Sequence, residues 1–282
     1  MPQTSVTVAG RGNLGRSLAR ALHARLVPAR AGFQLPARGL LFLAVPDGAV
    51  GEMATRVARM RPAAELAIVH VSGALGLDAL DALADHPVGS FHPLQSFPAP
   101  RDPSAFRGIT VAVDASTAAL RRRLARLARE VGARPKHVGA RERVVYHAAA
   151  VYASNFVDVV IAEAVRMLEE IGWTRGEATR ALMPLVDGAV ANIRRRGVVG
   201  ALTGPIRRGD AETVRLHLEA LRNLPQRAAG GEGKPSAEGL YRMLALVALD
   251  LAIEAGLDPK AAGRTRRALT RDVAATRRRG RR

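Results

Sequence analysis

The sequence predicts an α/β fold: a mostly parallel sheet in the N-terminal half, followed by an all-α C-terminal half. Three observations predict it. Short apolar runs alternate with helical patterns through the first half, the period turns helical throughout from Val144 onward, and a glycine cluster, Gly10–Gly15, joins the first apolar run to the first helical pattern.

Taken in order, strands are expected at Ser5–Ala9, Leu26–Ala29, Leu40–Val45, Leu66–Val71, Val88–Phe91, Ile109–Val113 and Pro135–Val138. Strands interleaved with helices such as Val50–Met60 and Leu120–Val131 imply a largely parallel sheet covered on both faces. The unbroken apolar run "LLFLAV" suits a central strand of that kind. Between Ala29 and Leu40 the segment "RAGFQLPARG" is too short for a helix with two loops, so the second crossover is expected to be a loop. Helices then follow at Val144–Ile171, Thr174–Arg195, Asp210–Arg222, Ala237–Ala255 and Pro259–Thr276. Thr174 with Glu177 forms a capping box, and Ser236 stands as a second N-terminal cap. The expected organisation is a sheet-bearing domain over residues 1–140, a helical domain over 141–270 and a basic tail over 271–282, with Gly230–Ser236 the most flexible-looking stretch.

A chain of 282 residues, 48% hydrophobic and 24% charged, is large enough for two cores. It contains no cysteine, which excludes disulfides, thiolate metal sites and a cysteine nucleophile, and suits a reducing cytoplasm. The start "MPQTSVTVAG" lacks the basic and apolar regions of a signal peptide, so a cytoplasmic location with no membrane partner is expected. The formal charge of +18 invites a nucleic-acid reading, yet all but three of the 43 basic residues are arginine, spread over many helix surfaces alongside alanine. Solvated arginines explain most of that charge, and nucleic acid is not an expected partner. The exception is Arg264–Arg282, either a frayed end or a phosphate-binding arm.

Gly10-Arg11-Gly12-Asn13-Leu14-Gly15 matches G-x-G-x-x-G directly after a strand and at the start of a helix. Gly10 would permit the tight turn, Gly12 would let the backbone approach a pyrophosphate, and Gly15 would let helix and strand pack closely, with the helix N-terminus supplying free N–H groups. Positions 24 to 39 hold no acid for the ribose hydroxyls; they hold Arg25, Arg30 and Arg38. Arg30, at the end of the second strand, favours a 2′-phosphate and hence NADP over NAD. Strand ends facing the same crevice place Val45 and Pro46 beside the cofactor, with Asp47 a helix cap, and Ser72 either on a substrate or the nicotinamide amide, or capping a helix.

In "GSFHPLQSF", His92 and Gln95 are candidate substrate contacts at the end of another strand. In "YHAAAVYASNFVD", an unbroken helix would put His147 and Ser154 nearly two full turns apart on one broad face, with Asn155 close by. That face either lines an interdomain cleft or buries a His–Ser hydrogen bond. In "ALTGPIRRGDAETVRLHL", Asp210 caps the next helix, while Arg207 and Arg208 could grip a carboxylate or phosphate.

With "AVPD", "HVSGALG", "HPLQSF", "YHAAAVYASNF" and "ALTGPIRRGD" in this order, the chain resembles a bacterial family of Rossmann-like, short-subunit dehydrogenase-like oxidoreductases whose helical C-terminal half is a domain of unknown function. That family is similar to the pyrroline-5-carboxylate reductase, ketopantoate reductase and 6-phosphogluconate dehydrogenase group. The resemblance implies NAD(P) binding, a helical substrate and dimerisation domain, a homodimer, and an interdomain site for a small carbonyl, imine or alcohol. Hydroxyacid dehydrogenases of that group carry a lysine and, about one turn later, an asparagine early in the first interdomain helix; here the helix offers His147 and Asn155, a departure in residue type and in spacing. A histidine ordinarily titrates at about 6.5, close enough to neutrality for His147 to serve as acid/base. A non-catalytic NAD(P)-sensing or scaffolding protein is the alternative reading.

Overall fold

The computed structural model describes residues 5–30, 32–225 and 235–271. It divides into two compact units, 1–157 and 158–282.

The first unit is built on seven strands: β1 Val6–Ala9, β2 Arg25–Val27, β3 Gly39–Leu43, β4 Leu66–His70, β5 Val88–Pro93, β6 Thr110–Ala115 and β7 Arg134–His137. Their order across the sheet is β2-β1-β3-β4-β5-β6-β7, and every pairing is parallel except β5 with β6. That exception has a local cause. The β5–β6 connection carries only a single 3₁₀ turn, Pro103–Phe106, rather than a crossover helix, so the chain returns beside its own strand in the opposite sense. Between β2 and β3 the described residues likewise form no helix, as the short connection predicts.

Alternation along β3 shows why "LLFLAV" is apolar throughout. Leu40 and Phe42 belong to one apolar cluster with Leu18 of α1 (Asn13–Ala21) and Leu124 of α3 (Ala118–Glu130), whereas Leu41 and Leu43 belong to another with Met53 and Val57 of α2 (Val50–Arg59). Both faces are therefore covered, which is why the run is apolar at every position rather than at alternate ones. Phe42 and Phe91, members of the same cluster, meet edge to face with ring centroids 5.5 Å apart.

The helix expected over Val144–Ile171 is two helices, α4 Ala140–Ala153 and α5 Asn155–Glu170. Ser154 interrupts them with φ −127° and ψ −77°. Serine and asparagine in succession are weak helix formers, and the break removes the continuous rotation of about 100° per residue on which a shared face for His147, Ser154 and Asn155 depended. Helix α4 also groups by contact with the sheet, because its Arg143 is buried against the strand ends.

The second unit contains α6 Arg175–Ala201, α7 Gly204–Arg208, α8 Ala211–Arg222, α9 Ala237–Glu254 and α10 Pro259–Thr270. Its core joins Ile206, Val214, Leu218, Leu249, Ala252 and Leu269. The expected caps form: Thr174 and Glu177 bond reciprocally, Ser236 Oγ accepts from the Gly239 amide, and Asp210 accepts from Thr213. Helix α6 is broken at Gly197, whose φ of +72° only glycine adopts readily, and it buries a single residue, Ala178. The 3₁₀ segment Leu77–Leu83 and the short α7 escaped sequence reasoning, since neither is long enough to show a period. Most of the basic tail and most of Gly230–Ser236 lie outside the described residues.

Candidate active site

The glycine turn lies where the sheet order reverses, between β1 and β3. Gly10 has φ +131°, and a Cβ there would fall 2.0 Å from the Ala44 carbonyl oxygen, so only glycine lets β1 pass so close to the end of β3. A Cβ on Gly15 would meet the Gly10 carbonyl at 2.1 Å, which is the close packing of helix on turn. Gly12 differs from both. Its backbone is extended, φ −67° and ψ 175°, and none of the described residues lies within 4 Å of where its Cβ would be. The first bond of α1 runs from the Arg16 amide to the Gly12 carbonyl, so the amides of Asn13, Leu14 and Gly15 have no partner inside the helix. No acid stands in that first turn to compete with an anion. A glycine with open space beside it and a helix start with unused amides fit a pyrophosphate.

Other cofactor candidates fall around this turn. The Asn13 side chain donates to the Pro98 carbonyl at 2.9 Å, which ties the loop after β5 to the start of α1. Val45 is half-buried and Pro46 exposed at the end of β3. Asp47 makes no side-chain capping bond, contrary to expectation; it begins a 3₁₀ turn ahead of α2. Arg30 is exposed after β2, and its carbonyl, with that of Ala29, accepts from the Arg56 guanidinium, which fixes the backbone there.

A second cluster forms where β4, β5 and α4 meet. Ser72 is buried, and its Oγ accepts from the amides of Ala74 and Leu75 at 3.2 and 3.0 Å, so it closes a turn after β4 and does not cap a helix as expected. His70 is fixed by two backbone contacts: the Ser72 amide donates to its Nδ1 at 3.2 Å, and its Nε2 lies 3.1 Å from the Gly76 carbonyl. That pair requires the neutral tautomer with the proton on Nε2. Burial, reinforced by the Arg143 charge, lowers His70 to about 4.

Arg143 is 1% exposed. It donates to the Ser72 carbonyl at 3.2 Å, to Ser90 Oγ at 2.5 Å and to the Val138 carbonyl at 3.1 Å, and its Nε has no partner among the described residues. It therefore pins α4 to the ends of β4 and β5 while placing a positive charge beneath them. One turn on, Tyr146 Oη lies 2.9 Å from His92 Nδ1. The His92 and His147 rings stand edge to face with centroids 6.0 Å apart. Burial, then the proximity of His147 and Arg143, lowers His92 to about 4. The Nδ1 of His147 is buried with no hydrogen-bond partner among the described residues.

The backbone of Gly73 lies against both rings: a Cβ there would be 2.5 Å from His147 Nδ1 and 2.8 Å from His92 Nε2. The structure thus brings together Ser72, His92 and His147 of the predicted residues. It does not bring in Gln95, which is exposed and accepts from the Ser96 amide, nor Ser154 and Asn155, which are exposed beyond the end of α4. His70, Ser90, Arg143 and Tyr146 escaped sequence reasoning. The one usable signal was the spacing of Arg143 and His147, four apart on a helix, in a chain where arginine at such spacing is commonplace.

Residues 109–248 match the model of a domain of unknown function, DUF2520. No curated protein matches the chain. Among solved structures, a Bacteroides fragilis protein proposed to be an NADP oxidoreductase is 21% identical with a TM-score of 0.69, over 88% of this chain and 98% of that one. Protein TM1727 from Thermotoga maritima is 19% identical with a TM-score of 0.68, over the same shares. A pyrroline carboxylate reductase from Plasmodium falciparum, solved with NADP bound, is 12% identical with a TM-score of 0.51, over 94% of this chain and 99% of that one. These likenesses show the fold: a Rossmann-like sheet followed by a helical C-terminal region.

Proposed function

We propose that this Rossmann-like chain is an NAD(P)-dependent oxidoreductase acting on a small carbonyl, imine or alcohol. The observation that carries the reading is Gly12, whose absent Cβ opens on empty space at a helix start with unused amides, on the same edge of the sheet as a paired-histidine cluster. A bound nicotinamide cofactor would supply the hydride. The glycine turn and the amides of Asn13, Leu14 and Gly15 would hold its pyrophosphate, and Val45 and Pro46 would border it. Arg30, exposed after β2 in a stretch without acids, supports NADP over NAD. His147 is assigned the proton exchanged with the substrate oxygen or nitrogen, because its Nδ1 is committed to no other group among the described residues. His92 would stand on the opposite side of the substrate.

Titration of the purified protein with NADPH and with NADH, followed by nicotinamide fluorescence, tests the reading. Binding of either, tighter for NADPH, is expected. No response to both would overturn it.

The reading includes a homodimer. Ile171, Trp173, Leu185 and Val198 are exposed apolar residues of the second unit, Leu185 at 70%, and α6 finds little cover among the described residues of its own unit. The stretch Ala140–Glu170 also contains an 18-residue window long and apolar enough to cross a membrane, with mean hydropathy 1.5. Its interruption at Ser154 and the buried, hydrogen-bonded Arg143 within it favour a protein surface over a bilayer.

A further inference from the structure

We propose that Tyr146 is a positioning residue: by donating its hydroxyl proton to His92 Nδ1, it fixes His92 as a neutral imidazole that offers Nε2–H toward Gly73 and His147 as a hydrogen-bond donor. In its use, donation to a substrate oxygen, the inference rests on the oxidoreductase reading. The tautomer itself does not.

The direction of the bond follows from what each partner can do. An imidazole lone pair accepts better than a phenol oxygen, and a phenol donates readily. The bond is 2.9 Å, the two rings are perpendicular at 5.6 Å, and Tyr146 Oη has no other acceptor among the described residues. If Tyr146 accepted instead, its own proton would lack a protein partner. Burial pushes the phenol up to about 12, so that proton is present across the physiological range.

With Nδ1 engaged as acceptor, the imidazole proton sits on Nε2. This nitrogen is 2.8 Å from the position a Gly73 Cβ would take, on the side where His147 lies. A second proton on His92 is opposed by burial and by the groups around it: His147, Arg143 and His70 disfavour added charge, and only Asp47 favours it. His92 therefore donates without surrendering a proton, the task of a group that stabilises developing negative charge on oxygen. His147, with an uncommitted Nδ1, is left as the group that exchanges a proton. The two histidines divide the work because one has a tyrosine behind it.

Nitrogen-15 NMR of the full chain tests this, with His92 assigned by its disappearance in His92→Gln. Wild type should show His92 with Nδ1 unprotonated and Nε2 protonated from about pH 8 to about pH 5. Tyr146→Phe should keep the amide spectrum of the fold and shift His92 to a mixture of tautomers. His70, held by the Ser72 amide, is the internal reference and should keep its Nε2–H form in both proteins. A proton on His92 Nδ1 in wild type, an imidazolium at neutral pH, or an unchanged tautomer in Tyr146→Phe would each overturn the assignment. NADPH titration of the same samples separates the two ideas: absent binding with the stated tautomer sinks the oxidoreductase reading alone.

Discussion

His92 and His147 arrive from a strand and a helix and lie 55 positions apart in the chain, yet their ring centroids stand 6.0 Å apart with the Gly73 backbone against both. Gly73→Ala would place a methyl 2.5 Å from one ring nitrogen and 2.8 Å from the other, so at least one imidazole must move. We expect a loss of about 1–3 kcal/mol in denaturant unfolding, with NADPH affinity kept, because the glycine turn is untouched. The His92–Tyr146 bond should be disturbed in the same variant, visible as a changed His92 nitrogen spectrum. An unchanged spectrum would show that the rings tolerate the methyl.

Gly10 and Gly12 should respond in opposite ways to enlargement. Gly12→Val has permitted backbone angles and open space, so the variant should unfold like wild type while NADPH binding weakens at least tenfold. Gly10→Ala meets both a strained φ and the Ala44 carbonyl, and should cost more than about 3 kcal/mol. Paired unfolding curves and fluorescence titrations distinguish the two. Normal NADPH affinity in Gly12→Val would argue against the proposed pyrophosphate position.

Arg143→Met removes a buried charge and leaves the Ser72 and Val138 carbonyls without their donor. A loss of about 2–4 kcal/mol is expected. Because the Arg143 charge lowers both His70 and His92, their pKa values should rise in this variant. NMR titration of the two rings is the measurement, and no upward movement would remove Arg143 from the electrostatics of the site.

Stability should fall on acidification in a defined window. His70 and His92 are held at about 4 in the fold, against 6.5 when unperturbed. Between those values the unfolded chain binds more protons than the folded one, so stability present above about pH 6.5 is lost as pH falls toward 4, by at most about 3 kcal/mol per histidine. Urea unfolding at about pH 7 and about pH 5 measures it, and His70→Gln should remove one of the two contributions. A flat profile in wild type would mean the histidines do not stay neutral.

For the homodimer, sedimentation of wild type should give twice the 29.9 kDa chain mass, and Leu185→Glu with Val198→Glu should halve it. A monomeric wild type would refute that assembly.

Much of the first unit was legible because its signals are local. Apolar runs made strands, the G-x-G-x-x-G turn sat between strand and helix, and Thr174, Asp210 and Ser236 capped where their hydrogen bonds reach no further than three residues. The helix break at Ser154 was not legible, since a helical period either side of it reads the same whether or not the axis continues. Nor was Arg143, which in sequence is one more arginine in a chain full of solvated ones.

The sequence by itself determined the strand–turn–helix at Gly10–Gly15, the two-faced burial of β3 and the change to an all-helical half, because each depends on the periodicity or backbone freedom of neighbouring residues. Only the tertiary structure decided that β6 runs antiparallel, that Arg143 lies buried under the strand ends, and that Tyr146 stands behind His92 with His147 beside it. Those outcomes depend on strand order and on the rotation of α4 about its axis, which are set by packing between distant segments and leave no trace in the spacing of residues along the chain.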